Sequence, residues 1–247
     1  MALSDEQLDR YARHIVLREV GGGGQLKLLN AKVAVIGAGG IGAPALMYLA
    51  AAGVGHLGII DDDVVSLSNL QRQIIHKTKA VGQLKTQSAQ AAIADINPDV
   101  KVTLHELRLN EGNAAELLEP YDIIVDGCDN FDTRFLVNDI ARTQGKTLIS
   151  SAVGPFDGQL STFKPGGPCY RCFVPEAPAG GGGTCADDGV LGALTGIMGS
   201  LAAMEVIKEI TGAGDSLAGK ILIYDALSTR FRTVKLAPDP KCPCCGA

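Results

Sequence analysis

Tryptophan is absent from this sequence and aromatic residues make up only 4%, so the core has to be built from aliphatic side chains. Positive charge is also scarce. With 22 Lys and Arg against 27 Asp and Glu, the formal net charge of −5 offers no basic footprint, and no nucleic-acid partner is expected. Long apolar runs are missing too. The most apolar stretch, Val190 to Met204, is interrupted by Gly192, Gly196, Gly199 and Ser200 and runs into Glu205, Lys208 and Glu209. It reads as a buried or subunit-contacting helix, and no membrane span is expected. The opening residues, MALSDEQLDRYARH, are charged and lack the apolar centre of a secretory signal, so a cytoplasmic location is expected. At 247 residues, 46% hydrophobic and 20% charged, the chain can bury a sizeable core, which excludes a disordered chain.

Glycine, by contrast, is plentiful, and its placement organises the chain. In Lys32 to Asp63, KVAVIGAGGIGAPALMYLAAAGVGHLGIIDDD, the β-branched run Val33 to Ile36 suits a buried parallel strand. Gly37, Gly39 and Gly42 follow in the pattern G-x-G-x-x-G, with Gly40 among them. Ile41 to Ala52 carries no charge and suits a crossover helix, and Gly55 to Ile60 supplies a second strand. Asp61 then lies roughly 20 residues beyond the glycine turn, near the spacing at which a carboxylate meets a ribose hydroxyl. Glycines let backbone approach a phosphate that a Cβ would hold off, and the helix start behind them offers unpaired N–H groups. A nucleotide fits here, either a dinucleotide or ATP; the bland reading is a glycine turn that binds nothing.

Ser4 and Gln7 form a plausible capping box for a helix reaching about Glu19, with Leu8, Tyr11, Ile15 and Val16 on one face. Gly21 to Gly24 reads as a flexible joint before a short helix, Gln25 to Asn30. After Asp63 a polar connection turns helical near Gln83 and ends before Pro98. Strands are expected at Lys101 to Leu107, Tyr121 to Asp126 and Thr147 to Ser151, with helices at Glu111 to Leu118 and Phe131 to Thr143. This alternation implies an α/β fold with a doubly wound, mostly parallel sheet. From Val153 the pattern changes to a β-rich portion. It has a strand at Gly158 to Phe163, a proline- and glycine-rich loop through Gly183, and final strands near Lys220 to Tyr224 and Thr229 to Lys235.

Seven cysteines without a signal peptide speak for metal or thiol chemistry rather than structural disulfides. Cys169-Tyr-Arg-Cys172 and Cys242-Pro-Cys-Cys245 form two C-x-x-C knuckles, the pattern that gives a tetrahedral zinc four thiolates. A redox pair or buried thiols are the competing readings. Cys244 is spare. Cys185, on the glycine-rich loop, could be a functional thiol, although Asp187 and Asp188 disfavour its thiolate. Cys128 reads as a small packed residue. Asp129, at a strand end, could face a metal or phosphate or simply cap the next helix. Arg72 and Lys85 could contact phosphates or be solvated surface charges.

Taken together, GAGGIG, GVGHLGIIDDDVVSLSNLQRQ, VGQLK, DGCDN, PCYRC, the Cys185 loop, GSLAAMEVIK and CPCCG resemble the ThiF/MoeB/HesA family of E1-like sulfur-carrier adenylyltransferases over nearly the whole chain. The resemblance implies an N-terminal helical arm (1–30), a nucleotide-binding Rossmann-like region (31–152) and a carrier-binding, zinc-bearing region (153–247) continuous with it. It implies ATP, Mg²⁺ and a structural Zn²⁺ on Cys169, Cys172, Cys242 and Cys245. Asp61 matches the ribose-binding acid, and Asp63 and Gln73 fall in the same nucleotide site. Asn69, Arg72 and Lys85 match ATP-phosphate contacts, and Asp129 matches the magnesium-associated catalytic aspartate. Arg13 matches an arginine that reaches into the partner's site of a homodimer, and Cys185 matches the crossover-loop thiol. The implied reaction is adenylation of the C-terminal Gly-Gly of a ubiquitin-like sulfur carrier, with sulfur delivered by a separate donor. An NAD(P)-dependent oxidoreductase would leave Arg72, Lys85 and the knuckles unexplained, and a non-catalytic module that docks a ubiquitin-like protein is the third reading.

Overall fold

A computed structural model describes residues 3–178 and 189–246. Eight strands form one sheet in the order β3-β2-β1-β4-β5-β6-β7-β8. The strands are β1 (Lys32–Ile36), β2 (His56–Ile60), β3 (Lys101–His105), β4 (Ile123–Asp126), β5 (Thr147–Val153), β6 (Asp157–Phe163), β7 (Lys220–Asp225) and β8 (Arg230–Lys235). The first five pair in parallel and the last three antiparallel, and β5 and β6 join the two parts without a break in the sheet.

The central strands are buried on both faces, and their side chains alternate between two cores as a period of two requires. Val33, Val35, Ile123, Val125 and Ile149 face one core. Ala34, Ile36, Ile124 and Leu148 face the other. Helices α3 (Gly21–Asn30), α4 (Gly42–Ala51) and α5 (Lys85–Ile96) bury residues in the first core. Helices α6 (Ala114–Leu118), α7 (Phe131–Thr143) and the short α8 (Tyr170–Phe173) do so in the second. The apolar stretch noted above becomes α9 (Gly192–Thr211), 20 residues long and packed across α4, β5 and β6. Its glycines permit close approach: a Cβ on Gly199 would stand 2.2 Å from the Ile41 carbonyl oxygen, and one on Gly192 would stand 2.2 Å from that of Gln71. No helix among the described residues is long and apolar enough to cross a membrane.

The structure departs from the local pattern in five places. Gly21 to Gly24 is not a loose joint but the first turn of α3. Gly24 lies against Val20 and Thr211, and the buried Gln25 donates to the Ala52 carbonyl at 2.9 Å. The N-terminal helix ends early: α1 (Asp5–Arg10), capped by Ser4 and Gln7 as expected, breaks at Tyr11 before α2 (Ala12–Ile15). Tyr11 turns inward, where Asn97 Nδ2 donates to its hydroxyl at 2.8 Å, while Leu8 and Val16 stay exposed. α6 starts later than the pattern at Glu111 implied, and α8 forms inside the stretch read as irregular. Finally, β8 is exposed along all six residues, an open sheet edge carrying Arg230, Arg232 and Lys235.

Candidate functional site

Between β1 and β4 the chain reverses its direction of travel across the sheet, and a doubly wound fold opens a crevice at the carboxyl ends of strands at such a point. The turns leaving these strands touch. The Gly127 N–H donates to the Ile36 carbonyl at 3.1 Å, and a Cβ on Gly37 would stand 3.3 Å from the Gly127 oxygen. Gly37 has φ +85°, which a larger residue adopts only with strain. A cavity of about 450 Å³, within the ordinary size of a ligand site, opens above both turns.

Gly37, Gly39, Gly40, Asp61, Asp63, Arg72, Gln73, Lys85 and Asp129 all line this cavity. Gly42, Asn69 and Arg13 do not. Gly42 serves the turn itself, because a Cβ there would stand 1.8 Å from the Gly37 carbonyl oxygen. Asn69 organises the approach: its side chain accepts from the Ser66 N–H at 3.2 Å, and its carbonyl accepts from the N–H groups of Arg72 and Gln73 at 3.0 and 2.9 Å. Arg13 is exposed on α2. Cys185 lies outside the described residues.

Asp61 leaves the end of β2 and accepts the Ala38 N–H at 2.8 Å and the Asp63 N–H at 2.9 Å, which ties the acid to the glycine turn. Burial lifts its carboxyl above the ordinary 3.8, with Lys85 and the two N–H groups pulling the other way. Lys85, almost fully buried at the start of α5, pairs with Asp63 at 2.6 Å. Gln73 is buried beside the glycine turn, and its Oε1 has no hydrogen-bond partner. His76 supports the turn from behind, its Nε2 3.0 Å from the Ala38 carbonyl and its Nδ1 2.9 Å from Ser88 Oγ. A glycine cradle, an acid and two cations suit a nucleotide bearing phosphates.

Sequence reasoning passed over Asp126 and Arg134. They form a fully buried ion pair, 3.1 Å apart, under the floor of the cavity, and Arg134 also lines it. One signal was available: an arginine in the first turn of α7 opposes the helix dipole and needs an anion to hold it. Arg108 and Asp157 also line the cavity and carried no motif. Cys128, the packed residue expected, has its thiol held far up by burial beside Asp126 and donates to the Asn130 carbonyl.

The second cluster lies beyond α7. The sulfurs of Cys169, Cys172, Cys242 and Cys245 all lie within 4.8 Å of one another. Cys169 and Cys242 are 3.6 Å apart, and Cys172 and Cys245 are 3.4 Å apart. A disulfide needs about 2.05 Å. Four sulfurs about 2.3 Å from a tetrahedral zinc lie about 3.8 Å apart, so the set fits that ion. Burial opposes the Cys242 thiolate, yet the N–H groups of Cys244 and Cys245 bring it down to about 7. Cys244 stands outside the four, its thiol pushed up to about 12 by burial and the neighbouring Asp139.

Residues 11–244 match the ThiF family. The chain is 48% identical over 247 residues to the SAMP-activating enzyme E1 of Haloferax volcanii, covering all of this chain and 92% of that one. It is 46% identical over 253 residues to the sulfur carrier protein adenylyltransferase of Thermus thermophilus, covering all of this chain and 93% of that one. It is also 49% identical over 248 residues to the probable adenylyltransferase/sulfurtransferase MoeZ of Mycobacterium tuberculosis, where it accounts for 98% of its own length and 63% of the relative's. A crystal structure of E. coli MccB with ATP shares the fold, with a TM-score of 0.85 at 24% identity over 96% of this chain and 75% of that one. Family match and sequence identity along the whole length agree with the cavity and the cysteine cluster: this chain belongs to the ThiF family.

Proposed function

We propose that this protein uses ATP to adenylate the C-terminal Gly-Gly carboxylate of a ubiquitin-like sulfur-carrier protein, in molybdopterin, thiamine or related sulfur-transfer biosynthesis. The observation that carries the reading is the convergence of the glycine turn, Asp61, Arg72, Lys85 and Asp129 on one cavity at the β1/β4 crevice. The names of the Haloferax and Thermus relatives support it.

In the reaction a carboxylate oxygen of the carrier attacks the α-phosphorus of ATP. The new O–P bond forms as the bond from that phosphorus to the bridging oxygen breaks, and pyrophosphate leaves with the electron pair. Such a transfer needs positioning and charge neutralisation more than covalent help. In this reading the glycine turn receives the phosphates, Asp61 accepts from ribose hydroxyls, and Arg72 and Lys85 meet the negative charge that grows on the pyrophosphate. Lys85 would exchange its Asp63 contact for phosphate. Asp129 would hold Mg²⁺, which supplies further neutralisation of phosphate oxygens when bound. The four-cysteine cluster would hold one structural Zn²⁺. A separate protein would then deliver sulfur to the acyl-adenylate.

The exposure of Arg13, outside its own cavity, supports the further reading that the enzyme is a homodimer in which Arg13 completes the partner's site. Mixing Arg13→Ala with Asp129→Ala protein should then restore activity that neither parent has, and no recovery after demonstrated subunit exchange would rule out that arrangement. Carrier-dependent ATP–pyrophosphate exchange tests the adenylation reading itself. Exchange with a Gly-Gly-ended carrier is expected; binding of NAD(P) with no exchange across a panel of such carriers would overturn it.

A further inference from the structure

The backbone of Cys128, the residue before Asp129, is gripped at both its N–H and its carbonyl. Asp126 Oδ1 accepts the Cys128 N–H at 3.1 Å, and Arg134 Nη2 donates to the Cys128 carbonyl at 2.6 Å. The two gripping side chains are joined to each other through Nη1 and Oδ2 at 3.1 Å. Ser150 completes the set, its hydroxyl donating to Asp126 at 2.8 Å and accepting from Arg134 at 2.9 Å. A further Arg134 N–H reaches the Ser151 carbonyl at 3.3 Å. The ring of Tyr170 packs against the guanidinium, 5.5 Å from centroid to carbon.

We propose that Arg134 is a positioning residue for Asp129: by holding the Cys128 carbonyl while Asp126 holds the Cys128 N–H, it fixes where the Asp129 carboxylate stands relative to the glycine turn.

Stability alone does not account for this arrangement. A buried ion pair loses about as much in desolvation as it gains in attraction, and well-packed apolar residues would serve a fold as well. What apolar residues lack is directed bonds to a peptide group. The planar guanidinium donates from Nη1 to Ser150 and Ser151 and from Nη2 to Cys128 while its charge faces Asp126, a fork that lysine cannot reproduce. Slack on the other side is also absent. A Cβ on Gly127 would lie within 3.4 Å of both the Gly42 nitrogen and the Ile36 oxygen, so this turn is pressed onto the nucleotide turn and any movement of Cys128 passes forward to Asp129. Reactions that depend on positioning lose about 100-fold in rate for misplacements near 1 Å.

This inference rests on the adenylation reading, and the test separates the two. Arg134→Lys keeps the charge beside Asp126 and removes the grip on Cys128. With ATP and a carrier that wild type exchanges, kcat should fall about 30- to 100-fold while the ATP Kd stays within about threefold and the melting temperature is held. Hydrogen exchange of the amides of residues 127–129 should quicken. A kcat within threefold of wild type, or a Kd that weakens in step with kcat, overturns the proposal, since a merely structural pillar would damage binding and turnover together. Should the lysine variant not fold, Ser150→Ala decides by the same pattern, with a kcat loss of about three- to tenfold expected and an unchanged kcat overturning the proposal. Should wild type exchange with no carrier, the adenylation reading is what fails. Unchanged amide exchange at 127–129 in Arg134→Lys then still overturns the positioning role.

Discussion

The two ends of the sheet are held together in different ways. At β1 and β4 nearly every residue is buried on both faces, and order comes from apolar contact, about 1.5–3 kcal/mol for each large aliphatic side chain taken out of water. Beyond β6 the strands thin to the bare edge of β8, and the chain is secured by particular side chains instead. Arg171 makes a two-pronged contact with Asp139 at 2.9 and 2.8 Å, Asn138 accepts the Tyr170 N–H at 2.7 Å, and four sulfurs draw residues 169–172 and 242–245 together. The cavity stands over strands that pack without a metal, whereas residues 169–172 and 242–245 meet at four sulfurs. The nucleotide half should therefore survive insults that dismantle the far half.

The strongest way to break this contrast is to remove the sulfurs. Zinc bound by four thiolates contributes on the order of 10–16 kcal/mol. Wild type should carry one zinc per chain by metal analysis, and Cys172→Ser with Cys245→Ser should lose it and expose residues beyond β8 to limited proteolysis, while ATP binding persists. Loss of ATP binding in the same variant would show that the halves are not independent.

Asp129→Ala should do the reverse. Carrier-dependent exchange should drop by at least about 1000-fold, roughly 4 kcal/mol in the barrier, with zinc content and melting temperature unchanged. Near-native exchange with Mg²⁺ present would remove Asp129 from the reaction.

Asp61→Ala should weaken ATP by about 1.5–3 kcal/mol, the scale of a hydrogen bond to a charged group, as read by calorimetry. A Kd change under twofold would disconnect the acid from the nucleotide.

The smallest effect expected is one of pH. Burial holds the His76 ring below its ordinary 6.5, so the folded turn favours the neutral ring. Its contribution is complete above 6.5 and is lost as pH falls from there through the lower folded value. The melting temperature should therefore decline from pH 7 to pH 5.5 more steeply in wild type than in His76→Gln, and identical slopes would clear His76 of any part.

What could be read from the sequence was whatever is local. The strand, glycine turn and acid of Val33 to Asp61 declare themselves through period and spacing, and the C-x-x-C pairs through contiguity. α7 was bounded correctly at Phe131 and Thr143 because its cap at Asn130, which accepts the Thr133 N–H, is a sequence neighbour. What escaped depends on partners far along the chain. Gly21 to Gly24 has poor helix propensity and is helical because α9 backs it. Arg134 reads as a surface residue of a helix until β4 and β5 bring Asp126 and Ser150 to meet it. Of the residues marked for the site, Gly42 and Asn69 shape the turns around the cavity without lining it, a distinction that spacing alone does not carry.

The open edge of β8 bears on how the protein behaves in concentrated solution. A six-residue strand with unpaired backbone groups is a template for sheet-to-sheet growth between molecules. Two such edges brought together would place Arg230, Arg232 and Lys235 of one copy near those of the next, and that repulsion opposes stacking even though the chain as a whole is acidic. The protection is electrostatic, so it weakens with ionic strength as the screening length shrinks from about 10 Å at 0.1 M to about 3 Å at 1 M. Added salt should turn a dispersed protein toward self-association, against the usual rule that salt disperses charge-driven aggregates.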